Sequence, residues 1–116
     1  MSDTPITLPD GASMAEYQRY IHDLEAFHGW LDVDLVHNCF LMGEEVGELF
    51  KAIRKHNKYF GEAAKASEDA PDTVQHVAEE IVDVFNYLLA IANRLDIDLE
   101  QAFREKNGLN QKRTWG

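Results

Sequence analysis

Residues 78–95, AEEIVDVFNYLLAIANRL, decide the fold. Apolar residues recur here every three or four positions, the repeat of an amphipathic helix and not of a strand. At about 100° per residue, Val74, Val77, Ile81, Val84, Phe85, Leu88, Ala92 and Leu95 share one arc, which reads as a core stripe. Glu79, Glu80 and Asp83 share a second arc. Residues 39–53 repeat the arrangement, with Cys39, Met42, Val46, Leu49, Phe50 and Ile53 as the stripe and Glu44, Glu45 and Glu48 as the acids. Neither acid arc is purely polar: Leu41 lies on the first, Tyr87 and Ala90 on the second. A solvated surface has no use for them, so the acid faces are expected to look into a cleft or a second interface.

The flanking sequence supplies the ends of these helices. Asp72 or Thr73 caps the 78–95 helix, which is expected to run to about Leu95, and its partner starts near Asp32 or Asp34 and runs to about His56. A polar stretch from Asn57 to Ala70, holding Gly61 and closed by Pro71, reads as the loop between them. Upstream, Ser13 and Glu16 form a capping box for a helix over 14–29, whose Tyr17, Tyr20, Ile21, Leu24 and Phe27 step at helical spacing until Gly29-Trp30. Downstream, Asp98 caps a short helix to about Lys106, with Gly108 as its stop. Residues 1–12, with Pro5, Pro9 and Gly11, read as an extended or disordered arm before a single domain over 13–116. The fold class is all-α, a four-helix bundle. Two apolar arcs per helix exceed what one such chain covers, which implies a homo-oligomer, dimer or tetramer.

At 116 residues the chain suits one domain. Eleven Lys and Arg against 21 Asp and Glu give a net charge of −10. That balance argues against nucleic acid polymers and against anionic membrane surfaces as partners. One cysteine, Cys39, excludes an intrachain disulfide and suits a reducing cytoplasm; its place in the stripe makes it an inert core residue. No apolar run approaches the length of a membrane span, and the first residues, MSDTPITLPDG, do not form a signal peptide.

The chemistry lies in the two acid trios. Residues three or four apart on a helix are neighbours, so each trio crowds like charge. Lys51 and Arg54 follow the first trio, but residues 66–93, around the second, hold no Lys or Arg. The missing positive charge must come from elsewhere in the fold or from solution. Hard oxygen ligands suit Mg²⁺ or Mn²⁺ better than Zn²⁺. A di-iron carboxylate bundle needs two Glu-x-x-His pairs, which the chain does not hold. His37 and His76 show no partner that suggests catalysis.

GEEVGELFKAIRK (43–55), AEEIVDVFNYLLAIANRLDIDLEQAF (78–103) and EKNGLNQKRTW (105–115) resemble the MazG-type all-α nucleotide pyrophosphohydrolases. That family's pattern is Glu-x-x-Glu, a spacer, then Glu-x-x-Asp, matched by Glu45, Glu48, Glu80 and Asp83. The resemblance implies Mg²⁺-dependent hydrolysis of a nucleoside triphosphate to the monophosphate and pyrophosphate, with those four residues as metal ligands. It makes Glu44 a further ligand or the base that orients water. It places Lys106, Asn110 and Arg113 in a C-terminal segment that contacts phosphate or sugar, and offers Trp30 and Tyr87 as platforms for the base. It also implies dimers or tetramers with sites between helices of neighbouring chains. The stretch 49–79 between the two motifs is long for the family.

The residue types fit that chemistry. A triphosphate cannot approach a bare carboxylate cluster, and a divalent cation inverts the local field. Attack at the α-phosphorus releases pyrophosphate, with Glu44 or Glu79 to take the water proton and Lys51, Arg54, Lys106 and Arg113 to meet the phosphate chain. Two other functions fit the same sequence: a phosphoribosyl-ATP pyrophosphohydrolase, and a non-catalytic acidic helical module that binds a basic partner.

Overall fold

A computed structural model describes residues 5–60 and 72–113, with the side chains of residues 59 and 60 left aside. It contains four helices and, among the described residues, no strand: α1 (Met14–His28), α2 (Leu35–Phe60), α3 (Thr73–Arg94) and α4 (Leu99–Lys112). The all-α expectation holds.

Local chemistry sets the helix ends. At α1 the Ser13 Oγ accepts from the Glu16 N–H at 3.2 Å and the Glu16 Oε1 accepts from the Ser13 N–H at 2.9 Å, completing the capping box. Glu16 is held below the ordinary carboxylate range by its hydrogen bonds to the Ser13 backbone and side chain. Gly29 closes α1 in the left-handed region at φ 76°, where its N–H reaches the Ala26 carbonyl. Asp34, Asp72 and Asp98 each accept the backbone N–H three residues on, at 2.7, 2.9 and 3.1 Å. α2 runs a turn beyond the expected end, so 57–60 are helical; the rest of the expected loop, with Gly61 and Pro71, lies outside the described residues. α4 also overruns. Gly108 sits inside it rather than stopping it, since one glycine costs a helix only about 1 kcal/mol and no proline follows.

The chain forms two compact units, 34–88 and a second made of residues 1–33 with 89–116. In the second unit Ile21, Leu89, Ala90 and Ala92 are buried together with one acid, Glu25. Glu25 is bound by Arg94, whose Nη1 and Nη2 donate to its Oε1 and Oε2 at 3.0 and 2.7 Å. The other guanidinium donors reach the carbonyls of Val33, Trp30 and Ala90 at 2.8, 3.0 and 3.1 Å. One side chain of α3 thus ties down the end of α1 and the turn after it. Gln18 works similarly, donating to the Asn93 side chain and the Ile97 carbonyl and accepting from the Leu99 N–H, while Asn93 donates back to the Gln18 carbonyl.

In the 34–88 unit half of the expected core stripe is exposed, a correction to the sequence reading, while Met42, Val46, Leu49, Val77, Val84 and Phe85 are partly covered. Phe50 is 66% exposed, Val74 64% and Ile81 52%; Ile53 and Leu88 are exposed too, and so is Cys39, which is therefore no core residue. Val36, Phe40 and Val82 are exposed as well. In the second unit Leu95, the last member of the stripe, is also exposed. Periodicity marks two arcs on each helix and does not say which one a single chain covers. Among the described residues of this unit Asn38 and Ala52 on α2 and Thr73 on α3 are buried, and Leu41, Glu45, His56, Glu80 and Tyr87 are covered about as well as the better-covered half of the stripe. His56 Nδ1 meets Thr73 Oγ1 at 2.7 Å, joining the end of α2 to the start of α3. Of the six acids on the two arcs only Glu45 and Glu80 are partly covered, while Glu44, Glu48, Glu79 and Asp83 are exposed, so the expected inward-looking acid face is met by one acid on each helix.

Candidate functional site

α2 and α3 bring three carboxylates together, Glu45 and Glu80 partly covered and Asp83 exposed. One oxygen from each of Glu45, Glu80 and Asp83 lies within 4.8 Å of the others. Glu80 and Asp83 are one turn apart on α3, and Glu45 faces them from α2. Burial comes first in raising the Glu45 pKa above the ordinary carboxylate range, followed by the charges of Asp83 and Glu80. The Glu80 side chain is 14% exposed, and its Oε2 is buried with no hydrogen-bond partner among the described residues. A buried, unpaired carboxylate oxygen is costly unless a cation or donor meets it.

These residues fit a divalent cation. All three offer hard oxygen donors, and an oxygen that nothing else satisfies points at the cluster's need for positive charge. Three carboxylates make up about half of an octahedral Mg²⁺ shell, leaving positions for water and substrate oxygens. Neither Cys nor His belongs to the group, which keeps it away from Zn²⁺ chemistry.

The other residues singled out in the sequence are distributed as follows. Glu48 is exposed one turn after Glu45 and does not join the three, though its charge contributes to the rise at Glu45. Glu44 and Glu79 are exposed beside the cluster members Glu45 and Glu80. Lys51 and Arg54 are exposed on α2. Tyr87 is half-buried one turn beyond Asp83 on α3.

Trp30, Lys106, Asn110 and Arg113 belong to the other compact unit. Trp30 is half exposed and stacks on the His28 ring, with centroids 4.2 Å apart and planes 19° off parallel. Asn110 donates to the Asn107 side chain, Lys106 is exposed on α4, and Arg113 caps that helix with its backbone N–H. Glu25 and His28 form a lone Glu-x-x-His pair, but Glu25 is committed to Arg94.

One neighbour escaped the sequence reading. His76 Nε2 stands 3.4 Å from Glu80 Oε1. The i,i+4 spacing of His76 and Glu80 on one helix was the available signal.

The model of the MazG nucleotide pyrophosphohydrolase domain matches residues 38–113. The chain belongs to the MazG family. The match begins inside α2 and runs through α4, so it takes in both acid arcs. MazG membership makes the chain a nucleotide pyrophosphohydrolase domain, a hydrolase of acid anhydrides, and the acidic triad is compatible with that activity. No curated protein matches the chain. Among the described residues, no helix is long and apolar enough to cross a membrane.

Proposed function

We propose that this MazG protein hydrolyses nucleoside or deoxynucleoside triphosphates to the monophosphate and pyrophosphate, using Mg²⁺. The observation that carries the reading is the convergence of Glu45, Glu80 and Asp83 within 4.8 Å, with Glu80 Oε2 buried and unpaired, in a MazG domain. These three would hold the ion, joined by Glu48 from the next turn of α2. When bound, the ion supplies positive charge to the phosphate oxygens and to the leaving group.

The chain's own groups account for the rest. Water attacks the α-phosphorus, the bond to the α,β-bridging oxygen breaks, and pyrophosphate leaves. Glu44 or Glu79, exposed beside the cluster, takes the water proton. Lys51 and Arg54 on α2, and Lys106, Asn110 and Arg113 on α4, are the candidates to bind the phosphates and sugar. Tyr87 and Trp30 are the candidate platforms for the base.

We further propose that the chain works as a homo-oligomer in the cytoplasm. Val36, Phe40, Phe50, Val74 and Ile81 are large apolar residues exposed in the single chain. Exposed apolar patches mark interaction sites.

Product analysis tests the proposal. The protein is incubated with canonical and modified NTPs and dNTPs, with and without Mg²⁺, and products are resolved by anion exchange. Metal-dependent monophosphate and pyrophosphate, lost in Glu45→Gln and Asp83→Asn, is the expected result. Diphosphate and orthophosphate would overturn attack at the α-phosphorus. No turnover of any nucleotide, followed by turnover of phosphoribosyl-ATP, would shift the substrate. Failure with both would favour the non-catalytic acidic module.

A further inference from the structure

The two oxygens of the Glu80 carboxylate have different surroundings. Oε1 lies 3.4 Å from His76 Nε2, one turn earlier on α3, while Oε2 is buried without a partner. The Glu80 side chain is 14% exposed and that of His76 46%, so the histidine is the more exposed partner of the pair. Residues 66–93 contain no Lys or Arg, which leaves His76 as the only side chain in that stretch able to carry positive charge. Within the triad its ion-pair contact is with Glu80.

We infer that His76 is a positioning residue for Glu80. It holds Oε1 on the outer side and thereby turns Oε2 toward the point where Glu45 and Asp83 converge. This inference rests on the metal-binding reading of the triad. A free carboxylate rotates about its last torsion, which is broad and roughly two-fold. Pinning one oxygen removes that freedom before the cation arrives. Carboxylate ligands of metal sites are commonly held by such outer partners, and losing one typically weakens metal affinity about 10- to 100-fold. The pairing needs an N–H at the position of Nε2, which glutamine at 76 can present through its amide.

The test is Mn²⁺ binding to the full chain without nucleotide, read by electron paramagnetic resonance and calorimetry. Four proteins are compared: wild type, His76→Ala, His76→Gln and Glu80→Gln. His76→Ala is expected to weaken Mn²⁺ about 10-fold, with His76→Gln recovering most of that loss. Melting temperatures without metal are expected to agree between wild type and both His76 variants, since the histidine is half exposed. Glu80→Gln is expected to lose binding. Loss in Glu80→Gln with wild-type affinity in His76→Ala would overturn the role of His76 and leave the metal site standing. Equal losses in His76→Ala and His76→Gln would also overturn it, because a donor at that place would not matter. Undiminished binding in Glu80→Gln would overturn both the inference and the metal reading beneath it.

Discussion

Replacing Arg94 with methionine should remove a large part of the chain's stability. Arg94 donates two charge-assisted hydrogen bonds to Glu25, at 3.0 and 2.7 Å, and three more to the carbonyls of Val33, Trp30 and Ala90. Glu25 is 7% exposed, so methionine at 94 strands a buried carboxylate. Breaking a buried pair by removing one partner costs about 3–5 kcal/mol. The carbonyls that lose a donor are partly solvated, so water meets some of that loss and the sum stays in this range. Small domains are stable by only about 5–15 kcal/mol, so the loss is a large fraction of the whole. At about 3–5 °C per kcal/mol for a chain of this length, Tm should fall by roughly 10–20 °C.

Urea denaturation gives the free energy and thermal melting the Tm. The double variant Glu25→Met, Arg94→Met should recover at least half of the loss, because it leaves no uncompensated charge. Arg94→Lys should fall between wild type and Arg94→Met, since an ammonium has three donors where the guanidinium uses five. A loss below about 1 kcal/mol in Arg94→Met, the value of an exposed pair, would refute the claim that this side chain ties the end of α1 to α3. So would a double variant less stable than Arg94→Met.

Four further outcomes follow from the same structure. Burial, then Asp83 and Glu80, raise the Glu45 pKa in the metal-free fold, so protons compete with the cation. Mn²⁺ affinity measured across a pH series should therefore begin to fall, on acidification, above the ordinary carboxylate range; a flat profile down to that range would contradict it. The linked effect on folding has the opposite sense: the Glu45 contribution is present below its unfolded pKa and is lost as pH rises through the raised folded value. Near neutral pH, metal-free Glu45→Gln should thus melt above metal-free wild type. Gly29→Ala forces alanine into φ 76° with nothing nearby to clash, so circular-dichroism melts should show a cost of about 1 kcal/mol from backbone strain alone. Phe50→Asp, at an exposed apolar position, should lower the mass measured by light scattering to that of one chain; an unchanged mass would place the interface elsewhere.

Much of the helix layout was legible because caps are local. Ser13 with Glu16, Asp34, Asp72, Asp98 and Gly29 each act on a backbone group within a turn, and each lies where the sequence placed a helix end. The acid trios were legible as two arcs, and Leu41 and Tyr87 pointed to cover on those arcs, which reaches Glu45 and Glu80 and leaves the other four acids exposed. Which stripe residues the single chain covers was not legible, because exposed Phe50 and Ile81 are as apolar as partly covered Leu49 and Phe85 and the pattern does not name their neighbour. The narrowing of the trios to Glu45, Glu80 and Asp83 depends on how α2 and α3 face each other. Arg94 and Glu25 stand 69 positions apart, so no local rule joins them. His76 and Glu80 are the reverse case: their spacing was visible, but only the paired and unpaired oxygens of Glu80 give it a meaning.

The central claim is that the carboxylates of α2 and α3 support attack of water on the α-phosphorus. Hydrolysis of a turned-over nucleotide in ¹⁸O-labelled water, with Mg²⁺ and mass analysis of both products, tests it most directly. The account predicts the label in the nucleoside monophosphate and none in pyrophosphate, with turnover abolished in Asp83→Asn. Label in pyrophosphate would place the attack on the β-phosphorus and contradict the account.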